Sequence, residues 1–309
     1  MKVTRHSCRS VASTRNLNVA LRSRKQSFGT AISKLTVETD MKLSIVLSTQ
    51  PASFSALAYK GELETNVAKI ANLGYDGVEL AVRDPKLLDA GHVSKIVRQS
   101  GLEVPAIGTG QAYGEEGLSF TNFDETIREH AIERIKSQID LAVEFSAIVI
   151  LGLIRGKVET DVQRDQAFDW LVEALQECAS YASPKNIKLA LEPINRYETD
   201  LIITISEGME LIEKVEADNF GLLLDTFHMN IEEPSIEQSI RNAGNRIFHF
   251  HIADSNRWYP GAGHLDFKRI VEVLDNINYA GYLSAEILPL PNPDTCAQET
   301  KKTMAGLLS

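Results

Sequence analysis

From Met41 onward, short apolar runs alternate with longer amphipathic stretches, the pattern of an α/β protein whose strands lie parallel. The apolar runs number eight, at 42–47, 76–80, 103–107, 147–151, 187–192, 220–225, 246–252 and 282–287. Eight strand–helix units within residues 41–309 select a closed (β/α)₈ TIM barrel, a fold that typically takes about 250 residues. An open, doubly wound sheet usually needs fewer strands. No Gly-x-Gly-x-x-Gly follows the first run, so a dinucleotide-binding sheet loses its main support.

The first strand, Lys42-Leu43-Ser44-Ile45-Val46-Leu47, begins one residue after Met41. Helical patterns at 62–73, 124–145, 161–182, 204–216 and 266–276 repeat apolar residues at three- and four-residue spacing. Asp124 stands where a carboxylate can cap the helix that follows it. Gly74 and Gly101 follow helical patterns, where left-handed caps are expected. Gly108-Thr109-Gly110 and Gly114 lack the Lys-Ser/Thr of a phosphate loop and read as a flexible strand-to-helix connection. No internal repeat exceeds this rhythm.

A hydrophobic fraction of 43% with 24% charged residues is that of an ordinary soluble domain. No apolar run approaches the roughly 18 residues of a membrane span, so no membrane role is expected. Cys8, Cys178 and Cys296 are far apart and odd in number, which fits neither a disulfide framework nor a zinc motif. They suit a reducing, cytoplasmic setting. The net charge of −10 divides unevenly: residues 1–40 carry +6 and residues 41–309 carry −16. An acidic body repels phosphate backbones, so nucleic acid is not the expected partner. Residues 1–40, rich in Ser, Thr and Arg, have no burial pattern and read as a disordered or transit-like extension. A genuine transit peptide would imply an organelle, whereas the alternative is a start at Met41.

The informative anomaly is a polar residue at the end of each of four consecutive strands. Leu189-Ala190-Leu191 runs into Glu192, Leu222-Leu223-Leu224 into Asp225, and Leu283-Ser284-Ala285 into Glu286. In Phe248-His249-Phe250-His251, His249 and His251 point to the same side, with His251 at the level of the terminal acids. His249 reads as an inner residue with a hydrogen-bond partner. The C-terminal mouth is where barrel active sites are built. Three carboxylates converging there would repel one another and take up protons unless a cation intervened. Three oxygen donors and one nitrogen suit one divalent ion, Mn²⁺ foremost, with Mg²⁺ or Co²⁺ as alternatives.

The stretches Leu191-Glu192-Pro193-Ile194-Asn195-Arg196-Tyr197-Glu198, Asp225-Thr226-Phe227-His228-Met229-Asn230 and His249-Phe250-His251-Ile252-Ala253-Asp254-Ser255-Asn256-Arg257 resemble the xylose isomerase-like barrels. Within them the chain is similar to the D-tagatose/D-psicose 3-epimerase group, and most similar to the 5-keto-L-gluconate epimerase type of bacterial inositol catabolism. Ile107-Gly108-Thr109-Gly110-Gln111-Ala112-Tyr113 and Ala81-Val82-Arg83-Asp84-Pro85 add to that likeness. The resemblance implies that Glu192, Asp225, His251 and Glu286 bind the metal and that Glu192 and Glu286 also form the acid/base pair. It implies that Glu198, His228 and Arg257 contact substrate. A homo-oligomer is expected.

The reaction implied is epimerisation beside a ketone, through a cis-enediolate, of a keto-sugar or keto-sugar acid. 5-Keto-L-gluconate to D-tagaturonate heads the expectations. The alternatives are a D-tagatose/D-psicose 3-epimerase, a hydroxypyruvate isomerase-like enzyme and, lower, an apurinic-site endonuclease. A sugar acid needs a cation far from the ketone, and Arg83 and Arg155 stand in catalytic-face loops; the alternative for each is pairing with a local acid. Glu79 is open between substrate contact, helix capping and an arginine partner. Phe54, Tyr113 and Trp258 are candidate pocket walls, with plain packing as the alternative, and Pro260-Gly261-Ala262-Gly263-His264 is a candidate mobile loop, with an ordinary turn as the default.

Overall fold

The computed structural model of the protein describes residues 40–308. The basic segment read as an extension lies outside the described residues, except for Asp40. Strands β1 (Lys42–Ser48), β2 (Tyr59–Lys60), β3 (Gly77–Ala81), β4 (Ala106–Gly108), β5 (Ile148–Leu151), β6 (Leu189–Leu191), β7 (Phe220–Asp225), β8 (Ile247–His251) and β9 (Tyr282–Ala285) form one parallel sheet. Pairing of β1 with β9, Lys42 opposite Tyr282 through Ile45 opposite Ala285, closes eight of them into a barrel. The two-residue β2 was not foreseen. It pairs with Leu47 and Ser48 of β1, beyond the point where β9 ends.

Local chemistry sets the elements. Both faces of the barrel wall are covered, so β1, β3 and β7 are buried along nearly their whole length rather than at alternate residues. The Glu125–Phe145 helix starts where Asp124 accepts from the Thr126 N–H. Gly74 and Gly101 adopt φ of +80° and +72°, the left-handed geometry expected of them. The glycine-rich stretch after β4 differs from expectation: Gly110 caps a short helix, Gln111–Glu116, instead of opening a flexible loop. The main core lies between strands and helices, while a small inner cluster of Ala106, Ile150, Ala190 and Leu223 fills the barrel. Among the described residues, no helix is long and apolar enough to cross a membrane.

Candidate active site

Each of the four polar strand ends reaches the C-terminal mouth. Asp225 and His251 are the last residues of β7 and β8; Glu192 and Glu286 stand one residue beyond β6 and β9. Pro193 has no N–H to continue the ladder, so β6 stops short of Glu192 while the Glu192 N–H still donates to Leu151. One ligand atom from each of the four lies within 4.8 Å of those of the other three. Three polar atoms there are buried without a hydrogen-bond partner: Glu192 Oε1, Asp225 Oδ2 and His251 Nδ1. His251 Nδ1 lies 3.8 Å from each of the other two. Orphaned polar atoms aimed at a common point fit a divalent cation. Asp225 also shows how one side chain serves two ends, because its Oδ1 caps the next helix through the Phe227 N–H at 2.7 Å.

The charges agree with that fit. Burial, followed by the nearby Glu286, pushes Glu192 well above the usual carboxylate range. Burial likewise raises Asp225 and Glu286. His251 behaves oppositely. Burial lowers it, but the Glu79 carboxylate beside it wins and the imidazole is pushed up to about 10.

Glu79 lines the pocket and pairs with two histidines rather than with an arginine or a helix end. Its carboxylate accepts from His249 Nε2 at 2.8 Å and contacts His251 Nε2 at 3.1 Å, with 1% of the residue exposed. That bond holds the His251 proton on Nε2 and leaves Nδ1 facing the other three ligands. It is also the partner expected for His249.

The substrate-contact candidates gather at the same pocket. Arg257 donates to Glu286 Oε2 at 2.9 Å and Glu198 Oε1 at 3.2 Å, between the rings of Phe54 and Phe227. His228 Nδ1 lies 2.7 Å from the Asn195 amide nitrogen, while its Nε2 faces Glu192 at 3.7 Å. Burial pushes His228 well below its ordinary value, so the ring is neutral and accepts the Asn195 N–H at Nδ1. Its Nε2–H is left for the pocket.

Several expectations need correction. Arg155 is fully buried, donates to the backbone carbonyl of Glu192, and does not line the pocket. Arg83 pairs with Glu116 at 3.5 Å, also off the pocket wall. Phe54 lines the pocket; Tyr113 and Trp258 do not. The loop at 260–264 is fastened rather than loose, with Asp254 accepting from the Gly261 and Leu265 N–H groups. The pocket holds about 300 Å³, the small end of ligand cavities and suited to a monosaccharide. A larger cavity of about 540 Å³ opens at the N-terminal end of the barrel, but none of the four ligand candidates lines it. Size does not mark the site here.

A barrel whose strand ends gather three carboxylates and an imidazole beside one small pocket, residues that could hold a metal ion, is the frame of a sugar isomerase. The chain belongs to the xylose isomerase-like TIM barrel family, whose model matches residues 67–305. It is 32% identical over 235 residues to the L-ribulose 3-epimerase of Mesorhizobium japonicum, covering 75% of this chain and 78% of that one. It is 30% identical to the D-psicose 3-epimerase of Ruminiclostridium cellulolyticum, covering 74% and 79%. A solved D-allulose 3-epimerase from Methylomonas sp., in complex with D-allulose, superposes with a TM-score of 0.73 at 26% identity, covering 86% and 97%. The chain is an isomerase of this carbohydrate-epimerase group.

Proposed function

We propose that the protein inverts the carbon next to the ketone of a neutral ketose, with Glu192 and Glu286 exchanging a proton across the sugar. The observation that carries this reading is the meeting of both carboxylates at one pocket with Asp225 and His251. Burial keeps each glutamate's proton affinity high, which suits a group that must take a proton from carbon near neutral pH. One carboxylate removes the C–H proton, and the other, protonated, returns its own to the opposite face. The two end with their protonation states exchanged, and atoms balance. Glu192, Asp225, His251 and Glu286 would hold a divalent ion, Mn²⁺ first among candidates, which when bound stabilises the negative charge left on the substrate oxygens. His228 donates through Nε2, and Arg257 holds Glu286 and Glu198 in place.

A sugar acid such as 5-keto-L-gluconate, expected from the sequence, would require a free cation in the pocket. Arg257 is the one Lys or Arg among the described lining residues, and two carboxylates already engage it. That balance favours a neutral sugar. The test is ¹H NMR in D₂O with Mn²⁺, following exchange at the inverted carbon of L-ribulose, D-psicose and 5-keto-L-gluconate. Turnover of the neutral ketoses, with a loss of about 10²-fold or more in Glu192→Gln and Glu286→Gln, is the expected result. Preference for the keto-acid would overturn the neutral reading. Near wild-type turnover in either Gln variant would overturn the two-base scheme.

A further inference from the structure

The structure assigns to Gln111 a role as the specificity residue of the pocket's far side, reading a hydroxyl donor on the carbons of the sugar remote from the ketone. This rests on the ketose-epimerase reading above. Gln111 begins the short helix after β4, with 6% of its surface exposed, and it lines the catalytic pocket. Its amide orientation is fixed by hydrogen-bond logic. The Ser48 hydroxyl donates to the Gln50 backbone carbonyl at 2.6 Å, an atom that can only accept. Having spent its proton, Ser48 Oγ can only accept from Gln111, whose Nε2 lies 2.8 Å away. The amide carbonyl must therefore point the other way. Gln111 Oε1 is buried with no hydrogen-bond partner, an unused acceptor on a residue that lines the pocket.

Its position gives the acceptor a direction. In the closed barrel β4 lies four strands from β8, so Gln111 stands across the mouth from His251. A sugar whose ketone and adjacent carbon sit at the four metal-capable residues extends its remaining carbons toward Gln111. Glu115, on the same helix, also lines this side, with its carboxylate accepting from the Ser53 N–H and hydroxyl at 2.7 and 2.6 Å. Both groups offer acceptors. A hydroxyl satisfies such a wall, whereas a missing hydroxyl leaves the buried Gln111 carbonyl unpaired, and sites built this way discriminate strongly.

The experiment measures kcat/KM for wild type, Gln111→Leu and Ser48→Ala, each with Mn²⁺, on D-psicose and its 5-deoxy and 6-deoxy analogues. Gln111→Leu should lower the rate on D-psicose by about ten- to a hundredfold and change it less than threefold on the analogue lacking the hydroxyl that is read. Wild type should show the same preference for the hydroxylated sugar, and the variant should lose it. Ser48→Ala frees the amide to turn, so it should reproduce part of the loss with the same selectivity. Equal losses on all three sugars would make Gln111 a packing residue and overturn the inference. Wild type that turns over none of them would overturn the ketose reading itself, and this inference with it.

Discussion

Replacing Asp225 with Asn tests the proposed metal ligand apart from the helix cap, because one oxygen makes the cap and the other is left unpartnered. Oδ1 accepts from the Phe227 N–H, and the Asn carbonyl can keep that bond. Oδ2, the orphaned atom facing Glu192 and His251, becomes an uncharged amide. The ligand atoms lie within 4.8 Å of one another, a separation at which two unit charges interact by about 3.5 kcal/mol at an effective dielectric of 20. A divalent ion bound closer than that loses at least this much, so its affinity should fall more than about a hundredfold. The apo protein should respond in the opposite direction. Burial disfavours ionised Asp225, so a neutral isostere relieves repulsion and the melting temperature without metal should hold or rise. Titration calorimetry with Mn²⁺ and thermal denaturation monitored by circular dichroism read the two halves. A Kd within tenfold of wild type would refute the ligand assignment. A clear fall in the apo melting temperature would mean that Asp225 matters as a cap.

Metal binding should release protons and tighten as pH rises, since His251 is held at about 10 and the three carboxylates lie above their ordinary range. In the apo protein the raised carboxylates lower stability as pH climbs past the unfolded value near 4.5, so the gain in melting temperature on adding Mn²⁺ should grow between pH 5 and 8. Glu79→Gln removes the charge that raises His251, so calorimetry at pH 8 in buffers of different ionisation enthalpy should show fewer protons released than in wild type. Arg155→Ala should lose about 2–5 kcal/mol of stability and weaken catalysis equally on neutral and acidic sugars, because the side chain is buried behind Glu192 and away from the pocket. A loss confined to the keto-acid would contradict this. A protein beginning at Met41 should melt and turn over like the full chain, since residues 1–40 carry no burial pattern in their sequence; a drop of several degrees would show that the earlier residues support the barrel.

The gathering of the four strand-end residues was readable because its signal is local. An acid that ends an apolar run is anomalous on its own, and three such ends with a histidine, on four successive strands, give both the barrel and its mouth. The helix boundaries came from the same kind of evidence, apolar spacing and caps such as Asp124. Glu79 resisted because its partners, His249 and His251, lie 170 and 172 positions away in sequence. No neighbouring residue announces them.

The two arginines failed for a different reason. Sequence places Arg83 and Arg155 at the catalytic face but gives no direction for a loop side chain. The turn after Arg155 is set by Gly156 at φ +86°, where a Cβ would meet Thr121 Oγ1 at 2.1 Å and Ser119 Oγ at 2.2 Å. That close passage, involving residues of another loop, accompanies an arginine directed inward to the Glu192 carbonyl.

The sequence by itself determined the strand rhythm, the barrel and the residue types at its mouth, because periodicity and strand-end position are properties of consecutive residues. Tertiary structure alone decided which nitrogen of His251 faces the other ligand candidates, that the amide oxygen of Gln111 is left without a partner, and which arginine is buried. Those outcomes depend on hydrogen bonds between segments that meet only when the sheet closes on itself, and a buried donor or acceptor is settled by whichever partner the closed barrel brings within reach.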